Sequence, residues 1–456
     1  MDGALEHARK ALAGEPVWLV GGAVRDQLLG RDTDDVDLAV PGDPRPFARR
    51  LAKETRGTAF ELSGAFGAWR VVGPRHAWHV DLVTLKDDDI VADLAQRDFT
   101  INAMAQPLAG GELVDPHGGE QDLARRVVRM VSARALEEDP LRSLRAIRIA
   151  VELGLDIDPA TGAATSQHAP ALANVSSERV FAELKRVISA DAFRRGLELM
   201  EAHGLTPVVL PELSALHGIE QSHFHHLDVH DHTLAVLEAV ALLQADPAQA
   251  GLDDEVRTLL AEDFSDELTR GQAMRWAALL HDAAKPATRG ELNGRVTFMG
   301  HDVAGAALAR DVLGRMRSSA KLRDYVAAMV THHLDAGFLV HERPLDRRTI
   351  WRYLRATQPY SADITIFTVA DRLATRGRNA EPAIAAHLEV ARELLAAARE
   401  RTPRSPLVRG DELVREAGVP AGPRLGEILA QLEEDRYAGA ITTRDEALAR
   451  ARDLAR

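Results

Sequence analysis

Three groups of residues in this 456-residue chain have the types and spacing to do chemistry. The first is Asp35-Val-Asp37, inside the strand-like run DVDLAV. Alternate residues of a strand point to one face, so the two carboxylates would crowd together, which is costly unless a cation lies between them. Hard oxygen ligands of this kind suit Mg²⁺. Carboxylate-bound Mg²⁺ can activate an attacking hydroxyl and stabilise a leaving pyrophosphate. A third acid, Asp81 in HVDLV, lies on another predicted strand and can complete the set. Upstream, VWLV runs into Gly21-Gly22 and then into a helix beginning near Ala23. Such a turn lets backbone approach a ligand and offers free helix N–H groups. It suits a triphosphate, with Arg25 as a charged partner. Taken alone, the glycine pair is equally a tight strand–helix turn and the acidic pair a solvated strand edge. Their close succession carries the weight.

The second group is Asp139 and Arg142, three apart on a predicted helix and so neighbours on one face. Arg145 and Arg148 continue at the same step. The plain reading is a helical salt bridge with solvated arginines. The functional reading uses hydrogen-bond polarity, because a carboxylate only accepts and a guanidinium only donates. Cytosine and adenine each present an amino donor beside a ring-nitrogen acceptor, and an Asp–Arg pair matches both edges. Guanine and uracil would turn a carbonyl oxygen toward the carboxylate, a mismatch that is strongly penalised. The pair can therefore select C and A without a nucleic-acid template.

The third group has the order His232, His281-Asp282, Asp371, with His301 and the doublet His332-His333 between. Imidazole together with carboxylate suits a divalent transition metal. His232, His281, Asp282, His301, His332 and Asp371 are the expected ligands, converging from several helices. A bound water would be acidified for attack on phosphorus, and Lys285, one turn after His281, can bind the phosphate. A lone histidine is usually a satisfied core residue, and most of His223, His225, His226 and His230 are expected at the surface.

The elements that must position these groups divide the chain unevenly. Short Val- and Ile-rich runs at 17–20, 35–40, 69–72, 79–85 and 100–106 read as strands. From about 120 onward helical spacing dominates, as in RSLRAIRIAVELGL at 142–155, and the rest reads as helix to the end. Glu178-Arg179 opens another helix, with Ser176 or Ser177 as its cap, and reads as a structural brace. With 56 basic and 69 acidic residues the net charge is −13, which excludes a uniformly basic nucleic-acid coat. There is no cysteine, so disulfides, zinc thiolates, iron–sulfur clusters and thiol nucleophiles are excluded together. No apolar run reaches the ~18 residues of a membrane span. The N-terminus lacks a secretory leader, and a cytoplasmic, multidomain protein is expected.

GGAVRDQLLGR…DDVDLAV, then RDFTINAMA (97–105), DP (115–116) and EEDPLRSLRAIRIA (137–150), resembles the class II tRNA nucleotidyltransferase and bacterial poly(A) polymerase family. The motifs follow family order over residues 17–200. The resemblance implies an α+β fold: a polymerase-β-like head with a mixed sheet, then an all-helical neck, body, HD domain and tail. The expected limits are 1–118, 119–165, 166–220, 221–385 and 386–456. It assigns Asp35 and Asp37 to catalytic Mg²⁺. It assigns Gly21, Gly22, Arg25, Asp26, Arg97, Asp98 and Asn102 to the nucleotide, and Asp139, Arg142, Arg145 and Arg148 to its base. The histidine set resembles the HD phosphohydrolase domain, which implies phosphatase and 2′,3′-cyclic phosphodiesterase activity. HDAAKP carries Ala283-Ala284 where many members have a glycine.

The resemblance implies CTP, ATP and the 3′ end of tRNA as partners. One departure bears on the product. Only KDDDIVADLAQ (86–96) separates HVDLVTL from RDFTINAMA, where members that build the whole CCA end carry a longer loop. The short form resembles the CC-adding specialists. A poly(A) polymerase would usually carry a basic C-terminal extension, which ARDLAR is not. A nucleotide phosphohydrolase with a regulatory head is a further alternative, and would keep its activity without Asp35 and Asp37.

Overall fold

The computed structural model describes residues 2–31, 35–63, 67–221, 225–400 and 405–456. They form two compact units, 1–209 and 210–456. The first is built on a mixed sheet of β1 (Trp18–Val20), β2 (Asp35–Val40), β3 (Thr58–Ser63), β4 (Ala68–Val72), β5 (His79–Thr84) and β6 (Ala105–Pro107). Among the described residues its order is β3-β4-β5-β2-β1-β6. β2 and β5 run parallel, and the other neighbours are antiparallel.

Alternation along β2 and β5 decides what each face holds. Val36, Leu38, Val40, Val80 and Leu82 point into a core closed by the helices Asp2–Ala11 and Arg45–Thr55. The opposite face is apolar only toward the ends of these strands, where Ala39 and Val83 meet Leu85, Leu94 and Ala103. Nearer their starts that face presents Asp37 beside Asp81, which are register partners.

Two strand expectations need correction. β3 carried no signal because it is a sheet edge whose Thr58, Phe60, Glu61 and Leu62 are exposed, so no alternation marks it. The run at 100–106 pairs only from Ala105. Thr100–Asn102 forms a 3₁₀ turn instead, fully buried and so apolar enough to imitate a strand.

The expected helix at 142–155 is Leu141–Leu153, ended by Gly154 in the left-handed conformation at φ 64°. It packs against Ser177–Ser189 and Phe193–Ala202. The expected limits at 118 and 220 fall in connections, whereas those at 165 and 385 fall inside the helices Pro159–His168 and Ala380–Glu400.

The second unit is a helical bundle that includes Val229–Ala245, Arg270–Leu280, His301–Arg315, Ala320–His332, Ser361–Ala374 and Ala380–Glu400. Among the described residues the all-helix expectation fails at two short ribbons here, Asp263–Ser265 with Leu268–Thr269 and Gly290–Leu292 with Arg295–Thr297, and at a third pairing in the first unit, Val127–Val128 with Asp156–Ile157. Asn293 and Gly294 both have positive φ, 52° and 73°, the geometry an Asn-Gly hairpin turn requires. The last three helices, Gly410–Ala417, Pro423–Tyr437 and Arg444–Ala455, share a cluster of their own around Leu413, Ile428 and Leu448. Among the described residues no helix is long and apolar enough to cross a membrane.

Candidate active sites

In the first unit the glycine turn lies against the acidic strand. Gly21 precedes the helix Gly22–Leu28 with φ 70°. The conformation calls for glycine, and a Cβ there would press on the end of the Arg97 side chain, 3.0 Å from Nη1, and lie 3.6 Å from Asp37 Oδ2. Asp35 opens β2 opposite His79, and its side chain lies outside the described atoms. Asp81 is brought beside Asp37, as expected of a third acid. However, both its oxygens accept from Arg70, at 2.7 Å each, so it is held in a bidentate ion pair.

Arg25 donates to Asn102 Oδ1 at 2.6 Å and to both oxygens of Asp26. Asn102 in turn donates to Asp98 Oδ1 at 3.0 Å. Burial alone would raise the Asp98 carboxyl. The charges of Arg145 and Arg142, with the Asn102 amide and the Phe99 N–H, outweigh it and hold the group below its ordinary range.

The helix Leu141–Leu153 meets this network directly. Arg142 Nη2 donates to Gln96 O at 2.8 Å, and Nη1 to Ala135 O at 3.1 Å and Arg97 O at 3.4 Å. Asp139 accepts from Arg179 Nη2 at 2.6 Å, so the residue read as a brace supports an expected reader of the base. Arg145 faces Asp98 at 3.3 Å. Arg148 departs from expectation. It is 6% exposed and donates to Glu183 at 2.5 Å and Glu152 at 2.7 Å. Three residues on from Arg145, the helix has turned this guanidinium into the interface with Ser177–Ser189, where it pairs two helices rather than meeting a nucleotide.

In the second unit the histidines converge. His232 Nε2 lies 3.0 Å from Asp371 Oδ1, and His281 Nε2 lies 3.1 Å from Asp282 Oδ2. His301 Nε2 is 3.4 Å from Asp282 Oδ1 and 3.2 Å from His333 Nε2. Two groups could each hold an ion: His232, His281 and Asp371, and Asp282, His301 and His333. The tautomers support this. His281, His301 and His333 each direct Nδ1 at a carbonyl three residues back, of Ala278, Phe298 and Val330. A carbonyl only accepts, so Nδ1 carries the proton, which leaves a lone pair on Nε2 of His301 and of His333 in their neutral forms; burial would lower His281, but the charge and hydrogen bond of Asp282 outweigh it and raise that group. Two lone pairs facing one another at 3.2 Å call for a cation between them. Burial, with the charge of His281, pushes His333 down to about 4, so it is neutral at pH 7, as a ligand must be.

His332 is not part of this set. Its Nδ1 pairs with Asp335 at 2.8 Å at the edge of the helix, while its neighbour faces inward. Consecutive helical residues are about 100° apart, so one of the doublet at most can face a given side. His225, expected at the surface, lines the same cavity of about 480 Å³ and stacks edge-on against His232. His230 is buried against His217, His226 is exposed, and His223 lies outside the described residues. Lys285 lines the cavity, donating to Gln221 at 2.6 Å and pairing with Asp282. Arg372 and His387 were missed. Arg372 stood only as the neighbour of Asp371, and His387 lay in an Ala-rich helix with nothing to mark it.

Family models match three stretches: a Poly A polymerase head domain at 17–129, a probable RNA and SrmB-binding site of polymerase A at 154–216, and an HD domain at 229–376. Over 440 residues the chain is 37% identical to the A-adding tRNA nucleotidyltransferase of Deinococcus radiodurans, covering 94% of each chain. The chain belongs to the tRNA nucleotidyltransferase family. It is also 34% identical to the CC-adding tRNA nucleotidyltransferase of Thermus thermophilus, over 94% of this chain and 92% of that one. Among solved structures it is similar in fold to the Thermotoga maritima CCA-adding enzyme complexed with tRNA. The TM-score is 0.60 at 19% identity, covering 98% of this chain and 93% of that one.

Within this tRNA nucleotidyltransferase the matches divide the chemistry as the geometry does. The head match holds the glycine turn, β2 and Arg97. The second match holds Arg179 and Glu183, the partners of Asp139 and Arg148. The HD match spans His232 to Asp371 and stops before His387.

Proposed function

We propose that this protein adds C and A residues, or one of the two, from CTP and ATP to the 3′ end of tRNA without a nucleic-acid template, acting in the cytoplasm. One observation carries the reading. The segment Gln96–Asp98 joins the glycine turn and acidic strand, through Arg97, to the base-selecting helix, through Arg142 and Arg145. Asp35 and Asp37 are the carboxylates that would hold Mg²⁺, which when bound neutralises the triphosphate and lowers the pKa of the attacking 3′-hydroxyl. Gly21 keeps the backbone open to the phosphates, and Arg25 and Arg97 supply their positive partners. Asp139 accepts from the amino group of C or A, and Arg142 donates to the neighbouring ring nitrogen.

The short stretch at 86–96 favours a specialist that adds CC. It forms a 3₁₀ turn and the helix Ile90–Leu94, anchored by the fully buried Leu94 and by Asp93, which pairs with Arg97 at 2.9 Å. The test is mass analysis of the 3′ ends made on tRNA lacking CCA with all four nucleoside triphosphates. Ends stopping at CC support the specialist reading. Complete CCA at ordinary rates, or A added only to tRNA ending in CC, removes it. Long A tails would replace the whole reading with poly(A) synthesis.

The HD cavity supports a second activity, hydrolysis of phosphate esters. His232, His281 and Asp371, with Asp282, His301 and His333, would hold one or two divalent transition metals, which when bound acidify a water. Lys285 and Arg372 offer positive charge to the phosphate from the cavity wall.

A further inference from the structure

The open face of the sheet in the first unit carries one register row across four strands. Asp37 on β2 is the partner of Asp81 on β5, Asp81 of Arg70 on β4, and Arg70 of Phe60 on β3. Register partners point to the same face. Val71 and Val80, next in sequence to Arg70 and Asp81, are buried in the core on the other side. Arg70 is locked to Asp81 by its two hydrogen bonds. Phe60 closes the row at the sheet edge and is 43% exposed. A single exposed aromatic is ordinary by itself. Its alignment with Asp37 is what gives this one a meaning.

The two sides of Asp37 are not equivalent. The glycine turn follows β1, which borders β2 on the side away from β5, and Arg97 reaches that turn. In the proposed reaction the triphosphate lies there. Displacement at phosphorus is in line, so the attacking 3′-hydroxyl must approach from the side opposite the leaving pyrophosphate. That side is the row leading from Asp37 to Phe60. At ~4.8 Å per strand, Phe60 stands about 14 Å from Asp37, within the span of the last unpaired nucleotides of an RNA whose 3′ end is at Asp37. An aromatic face stacks on any base, which suits an end whose sequence changes with each addition. Resting on the proposed reaction, we propose that Phe60 is a primer-binding residue: its ring stacks on an unpaired base of the acceptor RNA while the 3′-hydroxyl meets Asp37.

The test uses the full chain and tRNA lacking CCA, either intact or with an abasic unit at one of its last two positions. Binding is measured directly, and KM is measured for tRNA and for CTP. Phe60→Ala should weaken tRNA binding and raise the KM for tRNA by about fivefold or more, with the KM for CTP within about twofold of the parent. Phe60→Leu, which keeps apolar bulk without a ring, should lose as much, and Phe60→Trp should bind as the parent does. An abasic unit at one of the two positions should weaken binding to the parent by about fivefold or more and leave binding to Phe60→Ala unchanged. Binding and KM for tRNA that stay within about twofold of the parent in Phe60→Ala overturn the proposal. So does an abasic loss of the same size in parent and variant. If the abasic loss depends on Phe60 but the parent adds neither C nor A, stacking stands and the proposed reaction falls. If the parent adds C or A and is indifferent to Phe60→Ala, stacking alone falls.

Discussion

Arg148→Met separates the structural from the functional arginines of one helix. Arg148 joins Leu141–Leu153 to Ser177–Ser189, with its side chain 7% exposed and Glu183 13% exposed. Removing one partner of a buried pair costs about 3–5 kcal/mol, because the other charge stays behind unpaired. Two features move this site to the low end of that range. Glu152 keeps Arg186 at 2.7 Å, and Glu183 keeps Arg145 at 3.6 Å. Methionine also fills most of the aliphatic volume. The expected loss is about 3 kcal/mol, or roughly a hundredfold at ~1.4 kcal/mol per factor of ten. Amide hydrogen exchange of 141–153 reads it locally, as a hundredfold loss of protection confined to the first unit. Arg142→Met is the comparison. Its guanidinium hydrogen-bonds main-chain carbonyls and no carboxylate, and Asp98, on which its charge acts, keeps Arg145, so exchange should change only a few-fold while the preference for CTP over UTP collapses. The reasoning is refuted if Arg148→Met leaves protection within threefold of the parent. It is equally refuted if that variant shifts the CTP/UTP ratio as far as Arg142→Met does.

Asp37→Ala should abolish nucleotide addition and leave phosphate-ester hydrolysis intact, and His281→Ala should do the reverse; assaying both activities on each variant checks the independence of the sites. His333→Ala should lower bound transition metal, measured by elemental analysis after dialysis, whereas His332→Ala should leave it unchanged. The acid side of stability carries a definite sign. His387 is lowered from 6.5 to about 4 by burial, so the unfolded chain takes up a proton that the folded one refuses. Its contribution, about 3 kcal/mol, is fully present above pH 6.5 and is lost as pH falls through 4. Melting curves of metal-free protein between these values should therefore flatten in His387→Gln relative to the parent.

What could be read from the sequence was whatever depends on local period. The strand alternation at 35–40 placed Asp37 on the open face, and the glycine pair announced a turn whose first residue takes a φ of 70°. The fate of Arg148 could not be read, because it depends on Glu183, a residue of another helix with no local mark on the arginine. The doublet at 332–333 is a question of helical phase, which two adjacent histidines leave ambiguous to within one residue. His387 was invisible for a different reason: its surroundings are Ala-rich helix, and only packing brings it to the cavity. The ribbon at 290–297, by contrast, carried an Asn-Gly turn signal that the helical pattern around it obscured.

The two sites are prepared in opposite ways. In the HD cavity main-chain carbonyls set the tautomers, so bare nitrogen lone pairs face one another before anything binds. In the first unit the readers of the base are already engaged with protein partners. A guanidinium has five N–H donors. Arg142 spends three of these on Gln96, Arg97 and Ala135, which leaves two for a base. Asp139 accepts from Arg179 on one oxygen and from the Leu141 N–H, at 3.3 Å, on the other. Each carboxylate oxygen can accept twice, so an incoming amino group can join Asp139 without displacing Arg179. The side chains of the Asp–Arg pair proposed to recognise C and A are therefore held by separate supports: the head segment orients the donor and the Ser177–Ser189 helix orients the acceptor. On that reading, choice of base depends on the spacing of these two supports, and a substitution at Arg179 should alter it without touching the nucleotide.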